Sequence, residues 1–498
     1  MNSNLITRLL IANRGEIAVR VARTAREMGI ETIGVYAEPE AGGFHALRMD
    51  RAVSLGPGAA GETYLSIPRI LDAARESGAD AVHPGYGFLS ESAAFAKAVA
   101  EAGLTWVGPP PAAIETMGDK LRSRAAMEKA GVRVVPGSRR ESASDADLAR
   151  EARRLGFPLL IKASAGGGGK GMSRVDRPEN LSTALAEGRR LAEAAFGDGT
   201  LYLEGLLEGC RHVEFQVFGD AAGNIVHLFE RECSVQRRHQ KIVEETPSAA
   251  LDDALRRSMG ETAVAAARAV GYIGAGTVEF LVDADRRHYF LEMNTRLQVE
   301  HPITEETVGC DLVRAQLEVA AGRSLPDAWR TGAMTRRGHA IELRLYAEDP
   351  FDFLPRSGRL LVYREPSGPG VRVDAGVEEG SVVGLEYDPL LAKLVVSAAS
   401  REAAIERARR ALAEWVVLGV ETNIPLLAAV LESGPFVSGR YATDLVGNLS
   451  RVEEVEPPEA AWIAAALAQS SALSRTAAAG IARAPDPWAS LPSWRVGS

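Results

Sequence analysis

Two glutamates on a predicted hairpin are the strongest candidates for chemistry in this 498-residue sequence. Residues 277–293 alternate as two strands around a turn. Pairing position 283 with 288 places Glu279 opposite Glu292, and Asn294 joins their face if the extended path continues. Carboxylates this close repel each other unless a cation or a proton lies between them. Because oxygen ligands favour Mg²⁺ or Mn²⁺ over zinc, the pattern predicts a divalent-metal site, with a solvated hairpin face as the alternative.

An arginine and a further glutamate follow directly. By alternation, Arg296, Gln298 and Glu300 continue the face that carries Asn294. A guanidinium beside a carboxylate can hold a planar oxyanion while the carboxylate takes a proton. The alternative is a structural ion pair between Arg296 and Glu300.

A glycine-rich loop at 165–171 follows a predicted strand that contains Lys162. Its four consecutive glycines let backbone N–H groups approach an anion closely, and Lys162 and Lys170 add positive charge. The loop is not a Walker A motif, because Ser164 and Gly171 replace its first Gly and its Ser or Thr. We predict a mobile lid over a phosphate group, with a flexible surface loop as the alternative.

The densest basic stretch is 236–241. On a single strand without a bulge, Lys241 shares one face with His239, and Gln236 lies on the other. The stretch is typical of a solvated face, but it could supply a cation for phosphate or bicarbonate if it lined the same cleft. His212 lies in another strand pattern and, taken alone, indicates only a satisfied core or surface histidine.

These side chains need a scaffold, and the chain predicts one with several domains. The first hundred residues alternate strand and helix, which implies a parallel sheet covered by helices. A proline-rich break at 108–111 ends this region, and a smaller α/β segment and a strand-rich segment follow. Residues 460–473 are predicted as an Ala-rich helix. The predicted segments are an N-terminal α/β domain (1–107), a helical connector (108–133), a lid (134–206), a catalytic and C-terminal domain (207–447) and a tail (448–498).

Composition excludes several classes of protein. There are 66 acidic and 57 basic residues, a formal net charge of −9, which argues against general binding to nucleic acid or anionic membranes. The three cysteines lack CxxC spacing, so neither a disulfide framework nor a zinc knuckle is predicted. No apolar run approaches the roughly 20 residues that span a bilayer, and no targeting segment is evident. We therefore expect a cytoplasmic protein.

The motifs, in this order, resemble the biotin carboxylase family of ATP-grasp enzymes over about residues 5–447. They are NRGE (13–16), HPGYGFLSE (83–91), MGDK (117–120), KASAGGGGKG (162–171), ECSVQRRHQK (232–241), EMNTRLQVEHP (292–302) and GHAIELRLYAEDP (338–350). The resemblance implies an α/β ATP-grasp fold with an N-terminal Rossmann-like parallel-sheet domain, a small α/β lid domain and a larger mixed α+β C-terminal domain.

The resemblance also implies roles for individual residues. ATP-contacting positions would be Lys120, Lys162, Gly168, Gly169, the hinge Glu204 to Leu207, His212, Gln236 and His239. Two Mg²⁺ or Mn²⁺ ions would be held by Glu279, Glu292 and Asn294. Bicarbonate would lie among Lys241, Arg296, Gln298 and the backbone of Val299. Glu300 would be the general base, and Arg344 would face the ureido oxygen of biotin.

The implied reaction is the ATP-dependent carboxylation of carrier-bound biotin with bicarbonate through carboxyphosphate. The tail around Trp488 and Trp494 is similar to the linker of acyl-CoA carboxylase α chains, which favours acetyl- or propionyl-CoA carboxylase and fatty acid biosynthesis. A pyruvate or other biotin-dependent carboxylase is the alternative, followed by another ATP-grasp ligase or a silent nucleotide-binding subunit. No Met-Lys-Met occurs, so biotin would be carried by another polypeptide or a further C-terminal portion. A carboxyltransferase subunit and a homodimer are the expected partners, and the three tail tryptophans are expected to dock on this chain or a partner.

Overall fold

The computed structural model describes residues 5–138, 144–164, 172–237, 240–449 and 459–467. By its contacts the chain divides into two units, Met1–Ser450 and Arg451–Ser498. Residues 459–467 of the second unit form a helix, in agreement with the Ala-rich pattern there. Residues 468–473, Trp488 and Trp494 lie outside the described residues.

The first region of the chain is the predicted parallel sheet covered by helices. Its elements are β1 (Arg8–Ile11), α1 (Gly15–Glu27), β2 (Glu31–Tyr36), α2 (Phe44–Leu47), β3 (Arg51–Ser54), α3 (Ile67–Ser77), β4 (Ala81–His83), α4 (Ala93–Glu101) and β5 (Thr105–Trp106). The strands pair in parallel in the order β3-β2-β1-β4-β5. Leu9, Leu10 and Ile11 are all buried, because helices cover both faces of a central parallel strand.

A helical connector and a small antiparallel sheet follow. Their elements are α5 (Pro111–Gly118), α6 (Lys120–Lys129), α7 (Asp145–Leu155), β6 (Leu159–Ala163), β7 (Ser173–Val175), α8 (Leu181–Phe196) and β8 (Leu201–Gly205). The sheet order is β7-β6-β8, and both pairings are antiparallel. The strand predicted to carry Lys162 is therefore the central strand of this sheet.

The rest of the first unit is built on an eight-stranded antiparallel sheet. Its elements are β9 (Arg211–Gly219), β10 (Ile225–Arg237), β11 (Gln240–Thr246), α9 (Asp253–Ala269), β12 (Gly274–Val282), β13 (His288–Asn294), α10 (His301–Val308), α11 (Leu312–Ala320), α12 (Asp327–Arg330), β14 (His339–Tyr346), β15 (Gly358–Arg359), β16 (Val362–Arg364), β17 (Val371–Ala375), β18 (Val382–Val383), β19 (Leu390–Ala398), α13 (Arg401–Glu414), β20 (Val416–Leu418), α14 (Ile424–Glu432), α15 (Gly434–Val437) and α16 (Leu445–Asn448). The sheet order is β13-β12-β9-β10-β11-β14-β19-β17, while β15 pairs with β18 and β16 with β20. One continuous sheet thus links the predicted catalytic and C-terminal parts.

The three cysteines are free, as expected from their spacing. Among the described helices, none combines the length and the apolar character needed to cross a membrane.

A buried glutamate joins β11 to the C-terminal helices. Glu245 accepts from Arg401 Nε at 2.7 Å and Nη2 at 3.0 Å, and its Oε2 lies 2.7 Å from His339 Nε2. The Tyr441 hydroxyl donates to it as well. Burial alone would raise its pKa, but His339 and Arg401 outweigh burial and lower the pKa to about 2.

Glu245→Gln should destabilise the protein by about 3 kcal/mol at neutral pH, because a carboxyl pKa below its unfolded value stabilises the fold. A carboxyl group whose pKa is lowered by folding stabilises the protein fully at pH values above its unfolded pKa. The stability difference between the unmodified protein and Glu245→Gln should therefore persist above pH 4.5 and disappear as the pH falls towards about 2. Urea unfolding midpoints at several pH values measure this. Glu406→Gln, which alters an exposed ion pair with Arg409, should change little, and equal effects of the two variants would contradict the prediction.

Candidate functional site

Most predicted site residues line one cleft of about 1280 Å³ in the first unit. The residues that line it are Lys120, Lys162, Glu204, Leu207, His212, Gln236, Lys241, Glu279, Glu292, Asn294, Arg296, Gln298, Val299 and Arg344. Of the predicted residues within the described ranges, Glu300 lies behind the cleft wall and is completely buried. Gly168, Gly169 and His239 lie outside the described residues.

Two lysines lie at one end of the cleft. Lys162 on β6 forms an ion pair with Glu204 at the end of β8. Lys120, the first residue of α6, places its Nζ 5.8 Å from the ring centroid of Tyr202. Burial and then the charge of Lys162 lower the pKa of Lys120. Glu292 and Glu204 oppose this lowering, but the net effect on Lys120 remains unfavourable to its charge, so an anion such as a phosphate beside the two lysines is favoured.

The hairpin of β12 and β13 places Glu279 directly opposite Glu292, as predicted. The predicted pairing of position 283 with 288 is wrong, because Val282 pairs with His288 and the strands leave the turn one residue out of that register. A β-bulge next to Glu279 inserts Leu291 as an extra residue and restores the predicted partner. The two glutamates therefore face each other because of an irregularity that alternation does not reveal.

The hairpin carboxylates fit a hard divalent cation. Within the described part of the chain, Glu292 makes no hydrogen bond or ion pair, and its side chain is exposed where it lines the cleft. Burial and the charges of Glu279 and Glu91 raise its pKa. Asn294 Nδ2 donates to Glu279 Oε1 at 2.8 Å, so the amide lies at the same place. A cation bound to these oxygens would remove the repulsion between the two carboxylates.

Lys241 ends among three buried carboxylates. Its Nζ lies 2.6 Å from Glu214 Oε2, 2.8 Å from Glu279 Oε1 and 2.7 Å from Glu300 Oε1. Burial opposes the ammonium charge, but these carboxylates outweigh burial and raise the pKa of Lys241 well above its usual value. Glu214 also lies close enough to His212 and Glu279, and separately to Cys233 and Glu300, for metal ligation. In this structure the ammonium of Lys241 contacts carboxylates of both groups.

The prediction of 236–241 as a single strand is wrong, because β10 ends at Arg237 and β11 begins at Gln240. Strands β10 and β11 meet within this segment as antiparallel partners, with Gln236 opposite Lys241. The chain reversal places on one face two residues that simple alternation separates, and both line the cleft. Gln236 Nε2 lies 2.5 Å from His212 Nδ1, and His212 Nε2 lies 2.8 Å from Glu279 Oε2. His212 is thus part of the site.

Arg296 pairs with Glu91 from the N-terminal region. Its Nε donates to Glu91 Oε2 at 3.0 Å, and its other nitrogens donate to Gln298 Oε1 at 2.8 Å and Asn294 Oδ1 at 3.1 Å. Strand β13 ends at Asn294, so the predicted extended face does not continue to Glu300. Arg296 still lies beside the hairpin and lines the cleft.

Glu300 precedes α10 and is held between two cations. Its Oε1 lies 2.7 Å from Lys241 Nζ, and its Oε2 accepts from Arg344 Nη2 at 2.9 Å. Burial raises the pKa of Glu300, but Lys241 and Arg344 outweigh it and hold the pKa well below its usual range. Both cations line the cleft. Glu300 is therefore an ionised carboxylate immediately behind the wall where its partners meet the cavity.

A buried lysine fixes the backbone just before Glu300. Lys393 on β19 donates from Nζ to the Val299 carbonyl oxygen at 2.8 Å and lies 3.1 Å from Glu16 Oε1. Glu16, on α1, also accepts a hydrogen bond from the Tyr86 hydroxyl. The segment that carries Glu300 is therefore held jointly by the beginning of the chain and by β19.

Three further residues belong to the site and were not predicted as site residues. Glu214 could have been found, since it lies two residues after His212 on the same strand face. Arg231 is completely buried and donates to Glu214 Oε1 at 2.6 Å. Glu91 lies in one of the recognised motifs, but its partner Arg296 is 205 residues away and no local pattern connects them.

The chain matches three family descriptions in succession. Residues 5–114 match "Biotin carboxylase, N-terminal domain", residues 119–328 match "Carbamoyl-phosphate synthase L chain, ATP binding domain", and residues 342–448 match "Biotin carboxylase C-terminal domain". The chain belongs to the biotin carboxylase family. It is an ATP-dependent ligase with an ATP-grasp fold.

Relatives within this family include separate enzymes and parts of larger subunits. The biotin carboxylase of Halalkalibacterium halodurans is 47% identical and covers 91% of this chain and 100% of its own. The mitochondrial methylcrotonoyl-CoA carboxylase subunit alpha of Dictyostelium discoideum is 48% identical over 89% of this chain, which spans 63% of that relative. The biotin carboxylase domain dimer of Hydrogenobacter thermophilus 2-oxoglutarate carboxylase, solved with MgADP, ADP and bicarbonate, has a TM-score of 0.86 and 42% identity, covering 89% of this chain and 98% of its own.

Proposed function

We propose that this chain catalyses the first half-reaction of an acyl-CoA carboxylase, the ATP-dependent carboxylation of carrier-bound biotin with bicarbonate. The arrangement around Glu300 supports this most strongly. An ionised carboxylate lies between Lys241 and Arg344 at the wall of a cleft whose other end carries Lys120 and Lys162. A base beside cations, joined to a phosphate-binding end, suits the activation of bicarbonate by a nucleotide.

ATP is assigned to the lysine end of the cleft. Two closely spaced cations would hold its phosphates, and the residues between β8 and β9 would contact the rest of the nucleotide. The assigned positions are Lys120, Lys162, Glu204 to Leu207, His212 and Gln236, with Gly168, Gly169 and His239 as predictions from the resemblance. The relative solved with MgADP and bicarbonate supports this choice of ligands.

The residues around Glu300 would activate bicarbonate for its reaction with ATP. Lys241, Arg296, Gln298 and the Val299 backbone would hold bicarbonate while Glu300 takes its proton. The freed oxygen would attack the γ-phosphorus, the bond to the β-phosphate oxygen would break, and ADP would leave. Carboxyphosphate, shielded from water, would split into CO₂ and phosphate.

Biotin would then react with the released CO₂. The phosphate would take the ureido N–H proton, and the nitrogen would form a bond to CO₂. Arg344 would stabilise the negative charge that develops on the ureido oxygen, while Arg296 holds the carboxylate and phosphate. Lys241 would remain the fixed cation beside Glu300.

Glu279, Glu292 and Asn294 would hold two Mg²⁺ or Mn²⁺ ions. When bound, the ions would neutralise charge on the phosphoryl oxygens. The oxygen donors suit either metal, and Glu292 lies ready in the cleft.

Glu292→Gln should raise the Mg²⁺ concentration for half-maximal turnover by about tenfold or more, because one charged ligand is lost. The ligand-free protein should not lose stability, since burial and repulsion from Glu279 and Glu91 outweigh the attraction of Lys120 and His212 for the Glu292 carboxylate. Thermal unfolding with and without MgATP, together with a Mg²⁺ titration of turnover, measures both effects. Glu187→Gln, on an exposed helical surface, is the control. An unchanged Mg²⁺ requirement would remove Glu292 from the metal site.

One assay tests the proposed function. ATP hydrolysis is measured with and without bicarbonate, free biotin or a biotinylated carrier. Turnover that requires bicarbonate and rises with biotin supports the proposal. Turnover that requires an amine acceptor would indicate another ATP-grasp ligase, and tight ATP binding without turnover would indicate a silent subunit. The complete set of Arg296, Glu300 and Arg344 argues against both.

The complete carboxylase around this chain is part of the proposal. The similarity to a methylcrotonoyl-CoA carboxylase subunit favours an acyl-CoA acceptor, and the similarity to a 2-oxoglutarate carboxylase domain is the specific reason to keep other acceptors as the second candidate. We expect a biotin carrier and a carboxyltransferase subunit as partners, and a homodimer like that of the solved relative. The domain boundaries at 107, 133, 206 and 447 and a cytoplasmic location stay predictions.

A further inference from the structure

Behind Glu300, the large sheet carries buried charges on a single face. In the register of β11, β14 and β19, Glu244 pairs with Glu342, and Arg344 pairs with Lys393. Directly opposed residues and residues two apart on a strand share one face, so these four side chains lie together. All four are buried, and α10 packs against the same strands.

Arg344 lies between two carboxylates on this face. The same nitrogen, Nη2, forms an ion pair with Glu244 Oε1 and donates to Glu300 Oε2 at 2.9 Å. Within the described residues, Glu244 has no well-aligned hydrogen bond on either carboxylate oxygen, and neither has Glu342. Glu244 is thus held at the site mainly by its ion pair with Arg344, with a smaller attraction from Lys241.

The neighbouring residue Glu245 shows that the lack of hydrogen bonds to Glu244 is unusual. Glu245, on the opposite face of β11, receives four hydrogen bonds and ionises readily. Burial raises the pKa of Glu244 to about 7 against the opposing charge of Arg344. Burial also raises the pKa of Glu342 well above its ordinary value, even with Lys393 nearby. Glu244 is the carboxylate on this face that forms an ion pair with Arg344.

We propose that Glu244 is a positioning residue that holds Arg344 in place once Glu300 has taken the proton of bicarbonate. This inference rests on the proposed function. In that step the O–H bond of bicarbonate breaks, its proton joins a Glu300 oxygen, and the charge that held Arg344 from one side disappears. Glu244 then supplies the remaining negative charge.

Loss of Glu244 would slow the carboxylation of biotin and not the hydrolysis of ATP. Without Glu244, the guanidinium of Arg344 would lose its fixed position in the interval when the ureido oxygen of biotin needs it. A group misplaced by about 1 Å at a reacting centre can cost about a hundredfold in rate. Bicarbonate-dependent ATP hydrolysis, which precedes the biotin step, needs Glu300 and Lys241 but does not need Arg344 to be aligned with biotin.

The test compares Glu244→Gln with Glu342→Gln in the full chain. Glu244→Gln should lower biotin-stimulated turnover by about tenfold to a hundredfold while bicarbonate-dependent ATP hydrolysis without biotin changes less than about threefold. Glu342→Gln changes the adjacent buried carboxyl, whose oxygens accept no hydrogen bond from the described residues, and its biotin-stimulated turnover should stay within about twofold. Circular dichroism and ATP binding check that both variants fold.

A double-mutant cycle separates positioning from a general structural role. If Glu244 acts through Arg344, the Arg344→Gln and Glu244→Gln losses should not multiply, and the double variant should resemble Arg344→Gln alone. Multiplying losses, or an equal loss of both activities in Glu244→Gln, would overturn the inference. If Glu244→Gln does not fold, Glu244→Asp takes its place, since a retained charge with a shorter reach should give the same selective loss. Absence of biotin stimulation in the unmodified protein would instead contradict the proposed function.

Discussion

Glu300→Gln should lower biotin-dependent turnover by about a thousandfold and leave ATP binding within about twofold, since a general base is lost while the nucleotide end is untouched. The amide cannot accept the bicarbonate proton, and it places a neutral group between Lys241 and Arg344. ATP affinity measured by fluorescence titration and turnover measured by ADP release give the two quantities. Bicarbonate-dependent hydrolysis without biotin should fall equally, because the proton transfer precedes the biotin step.

A neighbouring glutamate provides the control for this result. Glu306→Gln changes a partly exposed carboxylate on the same helix, α10, that contacts Arg372 and Ser397. Its turnover should remain within about threefold of the unmodified enzyme. Near-normal turnover of Glu300→Gln would remove the general-base assignment. Loss of ATP binding in that variant would show that Glu300 is needed to assemble the cleft.

Arg231→Met should destabilise the protein by about 3–5 kcal/mol, because it leaves a buried carboxylate partly uncompensated. Arg231 is completely buried, and it donates to Glu214 Oε1 at 2.6 Å, Gln216 Oε1 at 2.8 Å, Thr304 Oγ1 at 2.9 Å and Thr277 Oγ1 at 3.0 Å. The removed guanidinium therefore leaves four acceptors without their donor. The shift of the urea unfolding midpoint measures the loss.

A second substitution tests the cause of that loss. In Arg231→Met/Glu214→Gln the buried negative charge is gone as well, and part of the stability should return. Arg75→Met, which alters an exposed ion pair with Asp72, should leave the midpoint unchanged within error. A double variant no more stable than Arg231→Met would show that packing, and not charge compensation, accounts for the effect.

Local patterns predicted the parts of the site that depend on neighbouring residues. Strand alternation led to the correct pairing of Glu279 with Glu292, but from the wrong register at the turn, and the bulge at Leu291 is what brings the two residues opposite each other. Alternation failed at 236–241, where a chain reversal placed Gln236 beside Lys241. Bulges and tight reversals change side-chain parity by one residue, and their hydrophobic pattern resembles that of an uninterrupted strand.

Local patterns could not predict contacts between residues that are far apart in the sequence. Arg296 was expected beside Glu300 but pairs with Glu91, because the chain leaves the strand after Asn294. Arg231 looked like any other residue of a long strand, although it is a central buried cation. The resemblance supplied the roles around Glu300, whereas the ion pairs that set its charge state required the three-dimensional fold.

The contact between Lys393 and the Val299 carbonyl oxygen has a consequence for protein synthesis. Lys393 lies 94 residues after Val299, and Glu16, which contacts Lys393, lies near the beginning of the chain. A ribosome must therefore deliver nearly the whole first unit before this loop can take its final shape. Shortened translation products that stop before Lys393 lack this contact, so we expect little turnover from them.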